Sequence, residues 1–106
     1  MRLRPGNTDL NPTGTSDQIY WRYDEKYIMQ DLMDYIAKTY SQHYAQGEIQ
    51  AGEFISSSGH GMSYFLGNII KYADRYGKKE GKNILDLYKI AHYCVMAIWE
   101  HHSQED

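Results

Sequence analysis

Cysteine is nearly missing: Cys94 is the only one in 106 residues, so no disulfide can form within the chain and a reducing compartment is expected. Proline occurs twice, at Pro5 and Pro12, and nothing beyond Pro12 carries that barrier to helix formation. No apolar run approaches the roughly 18–20 residues of a membrane span, and no basic segment followed by an apolar stretch opens the chain. A soluble, cytoplasmic protein with no membrane partner is therefore expected. An excess of positive charge is also lacking, since 11 Lys and Arg face 14 Asp and Glu for a net charge of -3. That balance argues against a nucleic-acid coat.

Several chemical signatures are absent as well. The stretch GKKEGKN at 77–83 has the glycines and lysines of a phosphate loop but neither its spacing nor its hydroxyl, which excludes a P-loop kinase. There is no H-E-x-x-H, and the adjacent His101 and His102 point to different faces, so no histidine metal site is expected. Glu48, Glu53 and Asp86 are too scattered for the metal cluster of an all-α nucleotide pyrophosphohydrolase. His60, in SSSGHG, is flanked by glycines that permit acid–base chemistry, but a plain loop histidine is the simpler reading. Cys94 reads as a small core residue.

What remains describes a small helical protein. The length suits one domain with a modest core, and eleven tyrosines bring many ring hydroxyls that need water or a partner. Residues 1–23 read as an irregular arm and residues 24–106 as a single all-α domain. Apolar residues recurring at steps of three and four predict a first helix over about 24–45. A weaker segment around Ile49, Glu53, Phe54 and Ile55 suggests a short helix. A second full helix is expected from Met62 to Tyr76, ended by Gly77, and a third from Gly81 or Lys82 to His101, the two forming a C-terminal antiparallel hairpin. So little core for so much tyrosine and aliphatic surface predicts a homo-oligomer.

Two polar stripes mark the hairpin. At 100° per residue Tyr64, Asn68, Lys71 and Arg75 fall within roughly 60° of one another, and Lys82, Asp86, Lys89 and Tyr93 share a second stripe opposite Ile84, Leu87, Ala91, Val95 and Ile98. A solvated outer face would account for both, with Asp86 bridging Lys82 and Lys89 as an ordinary ion-pair ladder. The sharper reading is a shared cleft. Lysine supplies point charges, arginine a bidentate fork, asparagine a donor and an acceptor, and tyrosine a stacking surface, a combination suited to a phosphate with a base or sugar.

The stretches HYAQGEIQAGEFI at 43–55, FLGNIIKYADRYGKK at 65–79 and DLYKIAHY at 86–93 resemble a family of short bacteriophage proteins that includes the nucleotide kinase of short-tailed phages. The resemblance covers about half the chain. It implies phosphoryl transfer from a nucleoside triphosphate to a deoxynucleoside monophosphate in the cytoplasm of an infected host. On that reading Lys71 and Arg75 contact phosphates, with Lys78, Lys79 and Lys89 as further electrostatic contacts. Asn68 orients a phosphate or sugar, and Tyr72 or Tyr93 packs on a base. Asp86 either holds magnesium or positions the acceptor, and equally suits a salt bridge. The other reading is an accessory protein without catalysis that binds a nucleotide or a host protein through the same face.

Overall fold

In the computed structural model, residues 18–104 are described, the side chains of residues 43–46 excepted. The expected arm therefore lies, up to residue 17, outside the described residues. Four α-helices follow one another: α1 (Glu25–Thr39), α2 (His43–Ser57), α3 (Gly61–Arg75) and α4 (Ile84–Ser103). There is no strand among the described residues, and the protein is all-α. None of the helices among the described residues is long and apolar enough to cross a membrane.

The chain divides into two compact units, residues 1–34 and 35–106, with the boundary inside α1. In the first, the backbone turns into α1 at Asp24, which adopts φ 57° and donates its N–H to Trp21 O at 3.1 Å, while Glu25 accepts from Tyr23 N at 3.0 Å. The carboxylate of Glu25 is well placed there beside the unpaired N–H groups of the first turn.

The expected single helix over 24–45 is in fact two. The N–H groups of Tyr40, Ser41 and Gln42 bond three residues back, and the hydroxyls of Thr39 and Ser41 donate to Ile36 O and Lys38 O. These local bonds tighten the last turn and stop α1 without glycine or proline. The chain then re-enters a helix at His43, so the weak segment is a full fifteen-residue α2. Gly59, at φ 91°, ends it: its N–H reaches Ser56 O and that of His60 reaches Ile55 O. This is the paired 5→2 and 6→1 closure that favours glycine.

The hairpin expectation holds for α3 and α4, with adjusted ends. Tyr76 leaves the helix at φ -58° and ψ 126°, Gly77 follows at φ 84°, and Lys78 N bonds to Arg75 O at 2.9 Å, a type II turn requiring glycine at its third position. At the far side Asn83 takes the N-cap, its side chain accepting from Leu85 N at 2.9 Å, so α4 begins later than Gly81 or Lys82. Successive cross-contacts, Arg75 with Asp86, Tyr72 with Tyr93 and Gly61 beside Glu100, establish that the two helices run antiparallel.

The core of this unit is aromatic. Phe65, Tyr72 and Tyr93 are buried, with Tyr64, Ile69, Ile90, Met96 and Ala97 packed against them. Gly52 of α2 lies flat on this cluster, a Cβ there falling 3.4 Å from Phe65. Tyr35, near the end of α1, stacks on Tyr88 of α4 at 5.2 Å. Cys94, expected inside, is exposed, because it sits one position past the buried face that holds His92 and Tyr93.

Candidate functional site

The polar stripes of α3 and α4 face each other except at Lys71 and Lys82, which are exposed, and much of the aliphatic surface of both helices points outward. Asn68 and Arg75 are half-buried, Asp86 and Tyr93 are buried and Lys89 is half-buried, while Leu66, Ile70, Ile84, Leu87, Val95 and Ile98 are exposed. A surface ladder of Lys82, Asp86 and Lys89 is therefore not what forms. Asp86 instead reaches across the hairpin to Arg75, Oδ1 to Nε at 3.3 Å, and its side chain is only 3% exposed. The guanidinium extends to Glu80 Oε2 at 3.0 Å. Asp86 Oδ2 is buried and accepts no hydrogen bond from the described residues.

Lys71 of α3 and Lys89 of α4 converge on one ring. Their ammonium groups lie 5.1 and 5.2 Å from the centroid of Tyr72. Neither forms an ion pair with a carboxylate among the described residues. The ring attracts each cation through its quadrupole, but two like charges at one ring repel one another, and an anion between them would relieve that repulsion.

The other candidates divide. Asn68 donates its side-chain N–H to Tyr64 O at 3.0 Å, one turn back, leaving its carbonyl oxygen as the group that can face a ligand. Lys78 is engaged by Asp74 at 2.7 Å on the surface, and Lys79 is exposed in the turn. Tyr72 and Tyr93, expected to offer a face to a base, are buried and stacked on each other at 6.2 Å and 15°. Burial foremost, with Tyr64 and Glu48 adding to it, pushes the Tyr93 phenol well above its ordinary value and keeps it neutral. Burial and then Lys89 lower the His92 imidazole, against a smaller opposing pull from Glu48.

One polar cluster was not anticipated from the sequence. Glu100 is buried at the start of α3, where Ser56 Oγ of α2 donates to its Oε1 and Gln104 Nε2 donates to its Oε2. A Cβ on Gly61 would overlap that carboxylate and press on Ser56 Cα at 3.0 Å, so the glycine permits the three helices to meet. The signal was periodic: Gly61, Asn68 and Arg75 recur every seven residues, as do Asp86, Tyr93 and Glu100. Extending each stripe by one more step finds both residues. Among the described residues no three histidines, cysteines or carboxylates gather as a metal site.

Compared with known proteins, residues 38–95 match the model of DUF3310, a family of proteins of unknown function. No curated protein and no solved structure matches the chain. The match spans more than half of the sequence and takes in α2, α3 and most of α4, and the chain belongs to the DUF3310 family.

Proposed function

For this DUF3310 member we propose a bacteriophage origin and a nucleotide-binding role, with phosphoryl transfer from a nucleoside triphosphate to a deoxynucleoside monophosphate as its activity in the host cytoplasm. The observation that carries the proposal is the convergence of Lys71 and Lys89, from two helices, on the Tyr72 ring without a carboxylate counter-ion among the described residues. Phosphoryl transfer needs in-line positioning and neutralisation of charge on the moving group more than covalent help from the protein. Two ammonium groups supply that charge. The Asn68 carbonyl would accept from a sugar hydroxyl, while Arg75 is shared between Asp86 and Glu80 and leaves the positive charge to the two lysines.

Magnesium fits this face only in part. Asp86 offers one oxygen without a hydrogen-bond partner among the described residues, yet that oxygen is buried and no group of three ligands gathers around it there. A magnesium ion commonly needs just one or two carboxylates when nucleotide phosphates supply the remaining ligands. It would neutralise phosphate charge as the nucleotide brings it in.

The Arg75–Asp86 ion pair specifically favours the second reading, an accessory protein that binds nucleotide without turning it over, because two of the three candidate catalytic groups are already paired with each other. The exposed aliphatic faces of α3 and α4 support assembly as a homo-oligomer under either reading.

Titration calorimetry with nucleoside mono- and triphosphates, followed by a panel of deoxynucleoside monophosphates incubated with triphosphate with and without magnesium, separates the readings. Lys71→Ala should weaken binding by about 1.5–3 kcal/mol, the loss expected for a charge-assisted contact, and leave helix content intact. Unchanged affinity in both Lys71→Ala and Lys89→Ala refutes the site. Binding without diphosphate formation leaves the accessory reading standing.

A further inference from the structure

A half-open cavity of about 600 Å³, with Tyr40, Val95 and Trp99 exposed at its rim, lies between the end of α1, α2 and the middle of α4. Its size falls within the range of small-molecule sites. Its walls are mainly aromatic and aliphatic: Phe65 forms part of the floor, and Tyr40, His92 and Trp99 stand around it. Two polar groups set its chemistry. The Glu53 carboxylate enters no hydrogen bond or ion pair among the described residues. His92, kept neutral by burial, offers an imidazole. The hydroxyls of Ser56 and Ser57 are already spent on Glu100 and Phe54 O.

This lining excludes some occupants. Among the described residues no lysine or arginine borders the cavity, so a phosphate would meet the Glu53 carboxylate with no cationic side chain to balance it. An aliphatic chain would offer that carboxylate, exposed in the free protein, no donor. A flat heterocycle bearing N–H groups satisfies both requirements, since its faces pack on aromatic walls and its edge donates to Glu53. The cavity approaches the cations along α4: His92 follows Lys89 by three residues, and the Lys89 charge reaches its imidazole, adding to burial in lowering it.

Resting on the nucleotide reading above, we propose that this cavity is the base-binding half of the site, with Glu53 accepting the N–H edge of a nucleobase while Lys71 and Lys89 hold the phosphates. The stacked Tyr72 and Tyr93 are then the wall behind the phosphates, and the base lies against Tyr40, His92 and Trp99.

The test uses Trp99 emission in full-length protein carrying Trp21→Phe. Nucleosides that lack phosphate, inorganic triphosphate and tetramethylammonium are titrated separately, with circular dichroism to verify that each variant is folded. At least one nucleoside should perturb Trp99 saturably, Glu53→Gln should weaken that binding at least five-fold, and Lys71→Ala should leave it unchanged while weakening the corresponding nucleotide. If inorganic triphosphate binds in a Lys71-dependent way and no nucleoside does, the base site falls and the phosphate face stands. Nucleoside binding indifferent to Glu53→Gln overturns the cavity assignment, and tighter binding of tetramethylammonium than of every nucleoside overturns it in favour of an organic-cation site. If nothing binds, both proposals fall.

Discussion

Replacing Arg75 with methionine leaves the Asp86 carboxylate, 3% exposed, without its cationic partner inside the hairpin. Removing one member of a buried pair in this way costs about 3–5 kcal/mol, because the survivor keeps its desolvation and loses its compensation. The reverse substitution, Asp86→Asn, is milder. The guanidinium it strands is 29% exposed and retains Glu80 at 3.0 Å, so the expected cost is about 1–2 kcal/mol. The double variant Arg75→Met/Asp86→Leu should return to within about 2 kcal/mol of the parent, since neither charge then remains to be desolvated. Urea denaturation followed by circular dichroism at 222 nm measures all three, at one fixed protein concentration because an oligomer's stability depends on it. In thermal melts the Arg75→Met loss corresponds to roughly 15–25 °C. Equal costs below about 0.5 kcal/mol for both single variants would mean that the pair is solvated, and the buried reading would be wrong.

Four other outcomes are expected. Gly61→Ala forces a methyl group onto the Glu100 carboxylate and Ser56 Cα and should destabilise by about 1–3 kcal/mol; a neutral melting temperature would show that the three helices meet more loosely. Because His92 is held below its ordinary value of 6.5, the unfolded chain binds the proton more readily, so stability should decline as pH falls below about 6.5, and His92→Phe should flatten that limb of the pH–stability curve. Tyr93 is shifted upward, so its contribution is complete below its ordinary value of 10.0 and is lost as pH rises beyond it; a curve unchanged by Tyr93→Phe above pH 10 would contradict that burial. Ile70→Lys and Ile98→Lys, at side chains 69% and 58% exposed, should lower the sedimentation coefficient, and a parent protein that is already monomeric at micromolar concentration would end the homo-oligomer proposal.

The hairpin was legible in the sequence because Gly77 marks the end of its first helix locally, whereas the N-cap at Asn83 went unread and the start of α4 was placed too early. The division between α1 and α2 was not. It is made by serine and threonine hydroxyls that bond to the preceding turn, and these residues are equally compatible with a continuing helix. The two polar stripes were found, but hydropathy alone gives no direction to a stripe. It took the cross-helix contacts, Arg75 with Asp86 and Gly61 with Glu100, to place them on the inside of the hairpin. The cavity beside α2 was illegible for another reason. Tyr40, Glu53, Phe65 and Trp99 come from four separate segments and meet only after the helices pack.

The seven-residue register across α3 and α4 also determines where the gene can change length. Gly61, Asn68 and Arg75 on one helix face Glu100, Tyr93 and Asp86 on the other in reverse order, so one residue inserted near position 70 would rotate Arg75 by about 100° and carry it away from Asp86. The segment 77–82 has no such constraint. It is exposed, and Gly77, Glu80 and Gly81 already occupy left-handed backbone there. Insertions and deletions in relatives of this chain should therefore collect between Gly77 and Lys82 and avoid both helices, and a loop grafted at Lys79 should leave the two columns of polar contacts in register.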